Sequence, residues 1–170
     1  MNDPQLVAFL DQEDAQTVSC IRKYGVFIQY VGGGPCSYPG CCNGPHDQEG
    51  PSFAYTVGLF GLGHPELMIV GAGVNTSGAV LNELSARVRA GTDIVPGQIL
   101  TFEQWPHRII AEPVPNAGEI VYAANRHYQR PAEVSVPALQ LSYDDTVGRF
   151  PWEDDYVAPD RQPRPGTWRA

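Results

Sequence analysis

The feature that most constrains this chain is a set of six short β-type runs with only a few helical stretches between them. Val26–Val31 (VFIQYV), Phe53–Leu59 (FAYTVGL), Leu67–Ala72 (LMIVGA), Gln98–Glu103, Arg108–Val114 and Val136–Tyr143 are rich in β-branched, aromatic and large apolar residues. Such side chains suit a pleated surface. Helical periodicity appears elsewhere. Asp3-Pro4 can cap and open a short helix reaching about Leu10, and Asp14 can cap a second helix stopped by Gly25. Asn75 or Thr76 can cap a helix over about 76–90, where Val80, Leu84 and Val88 repeat every four residues before Gly91. A further helix is expected over Ala117–Tyr128. Strands outnumber helices and do not alternate with them strictly. This predicts an α+β fold with a mixed or mostly antiparallel sheet of about six strands and three main helices.

A chain of 170 residues suits one domain. We assign residues 1–150 to a single α+β domain. Residues 32–52 form a Cys/Gly/Pro-rich loop, punctuated too often for regular structure. Residues 151–170 are read as a Pro-rich tail with too little apolar content to fold alone. Phe150-Pro151-Trp152 would anchor it to the core.

The net charge is -8 and Lys23 is the only lysine. Phosphate backbones and anionic lipid surfaces attract Lys/Arg-rich faces, so neither nucleic acid nor membrane is an expected partner. A basic protein or peptide is. The N-terminus has no basic segment followed by an apolar one, and no apolar run approaches the length of a membrane span, so a cytoplasmic location is expected.

Several groups bear on chemistry. Cys36, Cys41, Cys42 and His46 are zinc-type ligands within one loop and could close a tetrahedral site, although adjacent Cys41 and Cys42 cannot easily share an ion. Cys20 reads as a small core residue. His64-Pro65-Glu66 is half of a zinc-deaminase signature, but the cysteines precede it and lack the required spacing. Its alternative reading is a loop histidine and a strand-edge glutamate. Gly71-Ala72-Gly73 sits between a strand and a helix, yet Thr76 stands where a dinucleotide fingerprint needs its third glycine. The backbone of residues 75–78 could instead form a generic anion pocket. No G-x-S-x-G is present, and the neighbours Asp144 and Asp145 point apart on an extended chain.

Taken together, Phe53–Leu59 (FAYT-x-GL), His64–Leu67 (HPEL), the 76–91 helix, Leu139-Gln140-Leu141 and Asp145-x-x-Gly148-x-Phe150-Pro151-Trp152 resemble an uncharacterised bacterial family of unknown function. The FAYT-x-GL stretch is also similar, at the level of fold, to parts of toxin-immunity and Suppressor-of-fused-like domains. The family resemblance implies that Tyr55, Thr56, His64, Glu66, Gln140, Asp145 and Trp152 are its polar and aromatic hallmarks, and we expect them to share a cleft. Three functions follow as expectations. The first is a binding or regulatory, immunity-like module. The second is a small hydrolase or metal-assisted enzyme using Tyr55, His64, Glu66 and Asp145. The third is a flavin- or nucleotide-binding domain.

Overall fold

The computed structural model describes residues 3–32 and 51–170. Helix α1 (Pro4–Tyr24) leads into β1 (Phe27–Val31), followed by β2 (Phe53–Val57), β3 (Glu66–Val70), α2 (Val74–Arg89), β4 (Ile99–Leu100), β5 (Ile109–Pro113), α3 (Tyr122–His127) and β6 (Ala138–Tyr143). The strands form one sheet in the order β1-β2-β3-β6-β5-β4. Only β3 and β6 run parallel; the other pairs are antiparallel. The expected mixed six-stranded α+β sheet is therefore what forms.

Both faces of the sheet are covered. On one face Val80, Leu81, Leu84 and Val88 of α2 pack against Ala54, Leu67, Ile69, Leu139, Leu141 and Ala111. On the other, Ala117, Ile120, Val121 and Ala124 pack against Phe53, Tyr55, Val57, Met68 and Val70. Strands β2 and β3 lie centrally between these layers, and all of their residues are buried. This explains why their sequences read as continuous apolar runs rather than as alternations. Each large aliphatic side chain fully buried here contributes roughly 1.5–3 kcal/mol.

The elements differ from expectation in four places. The two expected N-terminal helices are one, capped by Asp3 and closed by Gly25 in the left-handed region. Residues 10–14 hold no glycine or proline to break it, and Asp14 pairs with Arg126 of α3 instead of capping. Helix α2 starts at Val74 with Gly73 as its cap at φ 68, not at Asn75 or Thr76. Glycine tolerates the sharp turn from β3 that this φ requires. The expected 98–103 strand shrinks to Ile99–Leu100, because the Arg87 guanidinium takes the Thr101 carbonyl at 2.9 Å and Phe102 turns edge-on to Trp105. The expected 117–128 helix divides into a 3-10 turn at Ala117–Glu119 and α3, since Ile120 (φ -131) and Val121 (ψ 54) leave helical geometry.

The tail is docked along the second face of the sheet. Gln162 is buried, and Trp168 packs edge-on to Phe53 with ring centroids 5.0 Å apart.

Candidate functional site

Glu66 opens β3 and is fully buried. Its Oε2 accepts from the Thr56 hydroxyl at 2.6 Å and the Leu59 N–H at 3.2 Å. Its Oε1 accepts from the N–H groups of Gly58 at 2.9 Å and Phe60 at 3.1 Å. Thr56 Oγ1 accepts in turn from the Leu67 N–H at 2.9 Å. The carboxyl therefore fastens the turn leaving β2 to the start of β3. Burial pushes its pKa up, and the bonds from Thr56, Gly58, Phe60 and Leu59 oppose that rise.

His64 is buried beside it, with both ring nitrogens engaged. Nδ1 lies 2.7 Å from the Pro65 carbonyl, which can only accept, so Nδ1 carries the proton. Nε2 then accepts from the Ile94 N–H at 3.0 Å. Tyr55 neighbours Thr56 in β2 but points to the opposite face, where its oxygen accepts from the Ala123 N–H at 3.0 Å. Burial pushes the Tyr55 phenol up to about 12.

Gln140 and Trp152 meet the tail. Gln140 donates to the Pro163 carbonyl at 2.7 Å and accepts from the Trp168 indole N–H at 3.1 Å. Trp152 stacks on Phe150, and the Arg164 guanidinium lies 4.3 Å over its ring. Asp145 organises its own turn, accepting from the N–H groups of Arg149 at 2.8 Å and Val147 at 3.0 Å. The Arg149 N–H, above all, holds its carboxyl below the usual value.

The residues expected to share a cleft thus form separate groups. Thr56, Glu66 and His64 surround the β2–β3 connection, and Gln140 and Trp152 hold the tail. Glu66 pairs with Ala138 at the start of the parallel β3–β6 ladder, whereas Asp145 lies beyond the far end of β6. The stretch from Ala138 to Tyr143 alone spans roughly 17 Å at about 3.3 Å per residue. Glu66 and Asp145 therefore sit at opposite ends of the sheet and do not share a cleft. Cys36, Cys41, Cys42 and His46 lie outside the described residues. Among the described residues, no cluster of three His, Cys, Asp or Glu is placed to hold a metal ion.

An open concavity lies elsewhere. A groove of about 990 Å³ runs between α2 and residues 101–105, lined by Thr76, Ala79, Glu83, Phe102, Glu103 and Trp105 among others. Arg87 crosses it, held by Glu83 at 3.1 Å and packed on the Phe102 ring. Trp105 continues inward to His107, 4.8 Å between centroids, and to Tyr143 at 5.7 Å. Asp144, buried behind them, accepts from Arg108 Nε at 2.8 Å and the Arg108 N–H at 2.9 Å. Its backbone carbonyl lies 2.7 Å from His107 Nδ1. This aromatic wall is therefore anchored on the buried Asp144 carboxylate, which pairs with the part-exposed Arg108.

Sequence reasoning missed the groove. Phe102 and Trp105 fall in a stretch read as a strand and a turn, and the one available signal was the aromatic spacing F-x-x-W beside Pro106.

No helix among the described residues is long and apolar enough to cross a membrane. No curated protein and no solved structure matches the chain. A family model described as a domain of unknown function, DUF4262, matches residues 20–157. It takes in the whole sheet, the β2–β3 connection built on Glu66 and the aromatic groove, so the chain belongs to the DUF4262 family.

Proposed function

We propose that this chain is a binding or regulatory module whose groove between α2 and residues 101–105 takes a basic segment of a partner protein or peptide. The observation carrying this reading is the groove itself, with a Phe102–Trp105 aromatic wall beside the Glu103 carboxylate and the Glu83–Arg87 pair, whose carboxylate a ligand cation can share. Anchored aromatics bury large area at small entropic cost, and carboxylates beside them select cationic side chains. The overall charge of -8 steers such partners in the same direction. Tyr55, His64 and Glu66, the acid/base candidates of the enzymatic alternative, have their polar atoms engaged in bonds that hold the fold.

The test is an array of Lys/Arg-containing peptides, with the strongest followed by fluorescence polarisation. Trp105→Ala should weaken it at least about ten-fold, as for a central aromatic anchor. Binding should also fall as salt rises. If no peptide in the array binds, or if binding is indifferent to Trp105→Ala, the reading fails.

A further inference from the structure

A second surface already holds a peptide: the chain's own tail. Three polar residues, Glu112, Gln140 and Ser142, stand in a row on the second face of β5 and β6, with Glu112 directly across from Gln140. Beside them lie Phe53, Met68 and Val70, which are core residues. A polar row on an inward sheet face requires partners of its own, and the tail supplies them.

The contacts read both side chains and backbone of the tail. The Gln162 amide accepts from the Tyr143 N–H at 3.0 Å and donates to the Tyr143 carbonyl at 2.9 Å. Gln140 reads the next carbonyl, of Pro163, and also the Trp168 indole. Arg164 meets Glu112 through two parallel bonds of 2.7 and 2.6 Å, while its guanidinium lies on Trp152. Gly71 lets the chain pass closely, since a Cβ there would stand 2.2 Å from the Arg161 carbonyl.

Most of the segment remains solvent-accessible. Between Pro159 and Ala170 only Gln162 is buried. A stretch that belonged to the core would bury apolar side chains; this one is held by a paired arginine, amide bonds and one aromatic contact, the manner in which a ligand is held. The segment is basic, carrying Arg161, Arg164 and Arg169 against Asp160 alone, in an otherwise acidic chain. It also lies beyond the region matched by the family, which ends at residue 157.

We propose that the Glu112–Gln140 face is a peptide-docking cleft for a segment of the form Gln-Pro-Arg-Pro-x-x-Trp. The tail is its resident occupant, exchangeable for a segment of the same chemistry from another polypeptide. Gln140 and Glu112 determine specificity: one reads backbone and indole, the other selects arginine by bidentate geometry.

The test uses the full chain and a labelled synthetic peptide spanning residues 159–170. In the wild type the attached tail competes, so the peptide binds weakly. Arg164→Ala with Trp168→Ala loosens the tail and should raise trans affinity by about ten-fold or more, because the bound form no longer has to displace a covalently tethered rival. Adding Glu112→Gln to that variant should remove most of the gain, whereas adding Asp11→Asn, which removes an exposed carboxylate on α1, should not. The single variant Arg164→Ala, at a half-exposed side chain, should give a smaller gain. A loosened chain that melts cooperatively yet takes no peptide would overturn the proposal. So would binding indifferent to Glu112, or a chain that loses its fold when Arg164 and Trp168 are truncated, since the tail would then be core.

Discussion

Replacing Glu66 by glutamine keeps the shape of the side chain and removes one acceptor. With the amide oxygen in the place of Oε1, the bonds from Gly58 and Phe60 persist. The NH₂ then stands where Oε2 accepted from Thr56 and Leu59. The Thr56 hydroxyl can turn and accept; the Leu59 N–H cannot, and a buried orphan of this kind costs about 1–3 kcal/mol. The two surviving bonds lose charge assistance, about 1 kcal/mol each, and relief from burying a charge offsets part of the total. The net expectation is a destabilisation of about 2 kcal/mol near neutral pH, which lowers Tm by about 4–8 °C in a chain of this size. Glu66→Ala leaves three N–H groups without an acceptor, at about 1–3 kcal/mol each, a loss comparable to the whole stability of a typical domain, about 5–15 kcal/mol. Thermal and urea unfolding followed by circular dichroism measures both. The sign with pH is also fixed. Burial raises the Glu66 pKa in the folded state, so the folded protein binds the proton more tightly, and stability falls as pH rises from the ordinary carboxyl value through the folded one. A protonated carboxyl still accepts through both oxygens, unlike an amide. The wild type should therefore gain on Glu66→Gln as pH is lowered towards the ordinary carboxyl value. A glutamine variant that melts at or above the wild-type temperature at neutral pH would refute the reasoning, because the buried charge would then cost more than its four bonds return.

Ser77 and Ser85 lie on the sheet-facing side of α2, with buried hydroxyls that have no hydrogen-bond partner among the described residues. Ser77→Ala and Ser85→Ala should each leave stability unchanged or raise it by up to about 2 kcal/mol; a clear drop in Tm would show that the hydroxyls are satisfied. Burial pushes Tyr55 and Tyr143 up to about 12. In a spectrophotometric titration these two phenols should ionise last, and stability should fall as pH climbs from about 10, where unfolded tyrosine deprotonates, towards 12. Ionisation of every tyrosine near its ordinary value while the chain stays folded would contradict their burial.

Periodicity and turn residues were enough to read the sheet and α2 from the sequence. The apolar runs at 53–59, 67–72 and 136–143 became β2, β3 and β6, and Val80, Leu84 and Val88 became the buried stripe of α2. Membership of a family of unknown function was also legible, and the family match over residues 20–157 bears it out. The partnerships between residues were not. Thr56 and Glu66 are ten residues apart and bonded because a hairpin brings them together. Tyr55 is next to Thr56, yet it serves Ala123 on the opposite face, since successive strand residues point apart. Asp145 parts from Glu66 because β3 and β6 run parallel, a choice that no local pattern encodes.

By itself, then, the sequence determined where the main strands lie, which helix stripe is apolar, and a net charge of -8. These depend on neighbours within a few residues. Only the tertiary structure decided that a polar, Pro-rich tail folds back over Glu112 and Gln140, and that Phe102 and Trp105 face α2 across a groove. Those contacts join residues tens of positions apart. Their partners are chosen by strand order and by the burial that closing the sheet makes available, neither of which is written in any one segment.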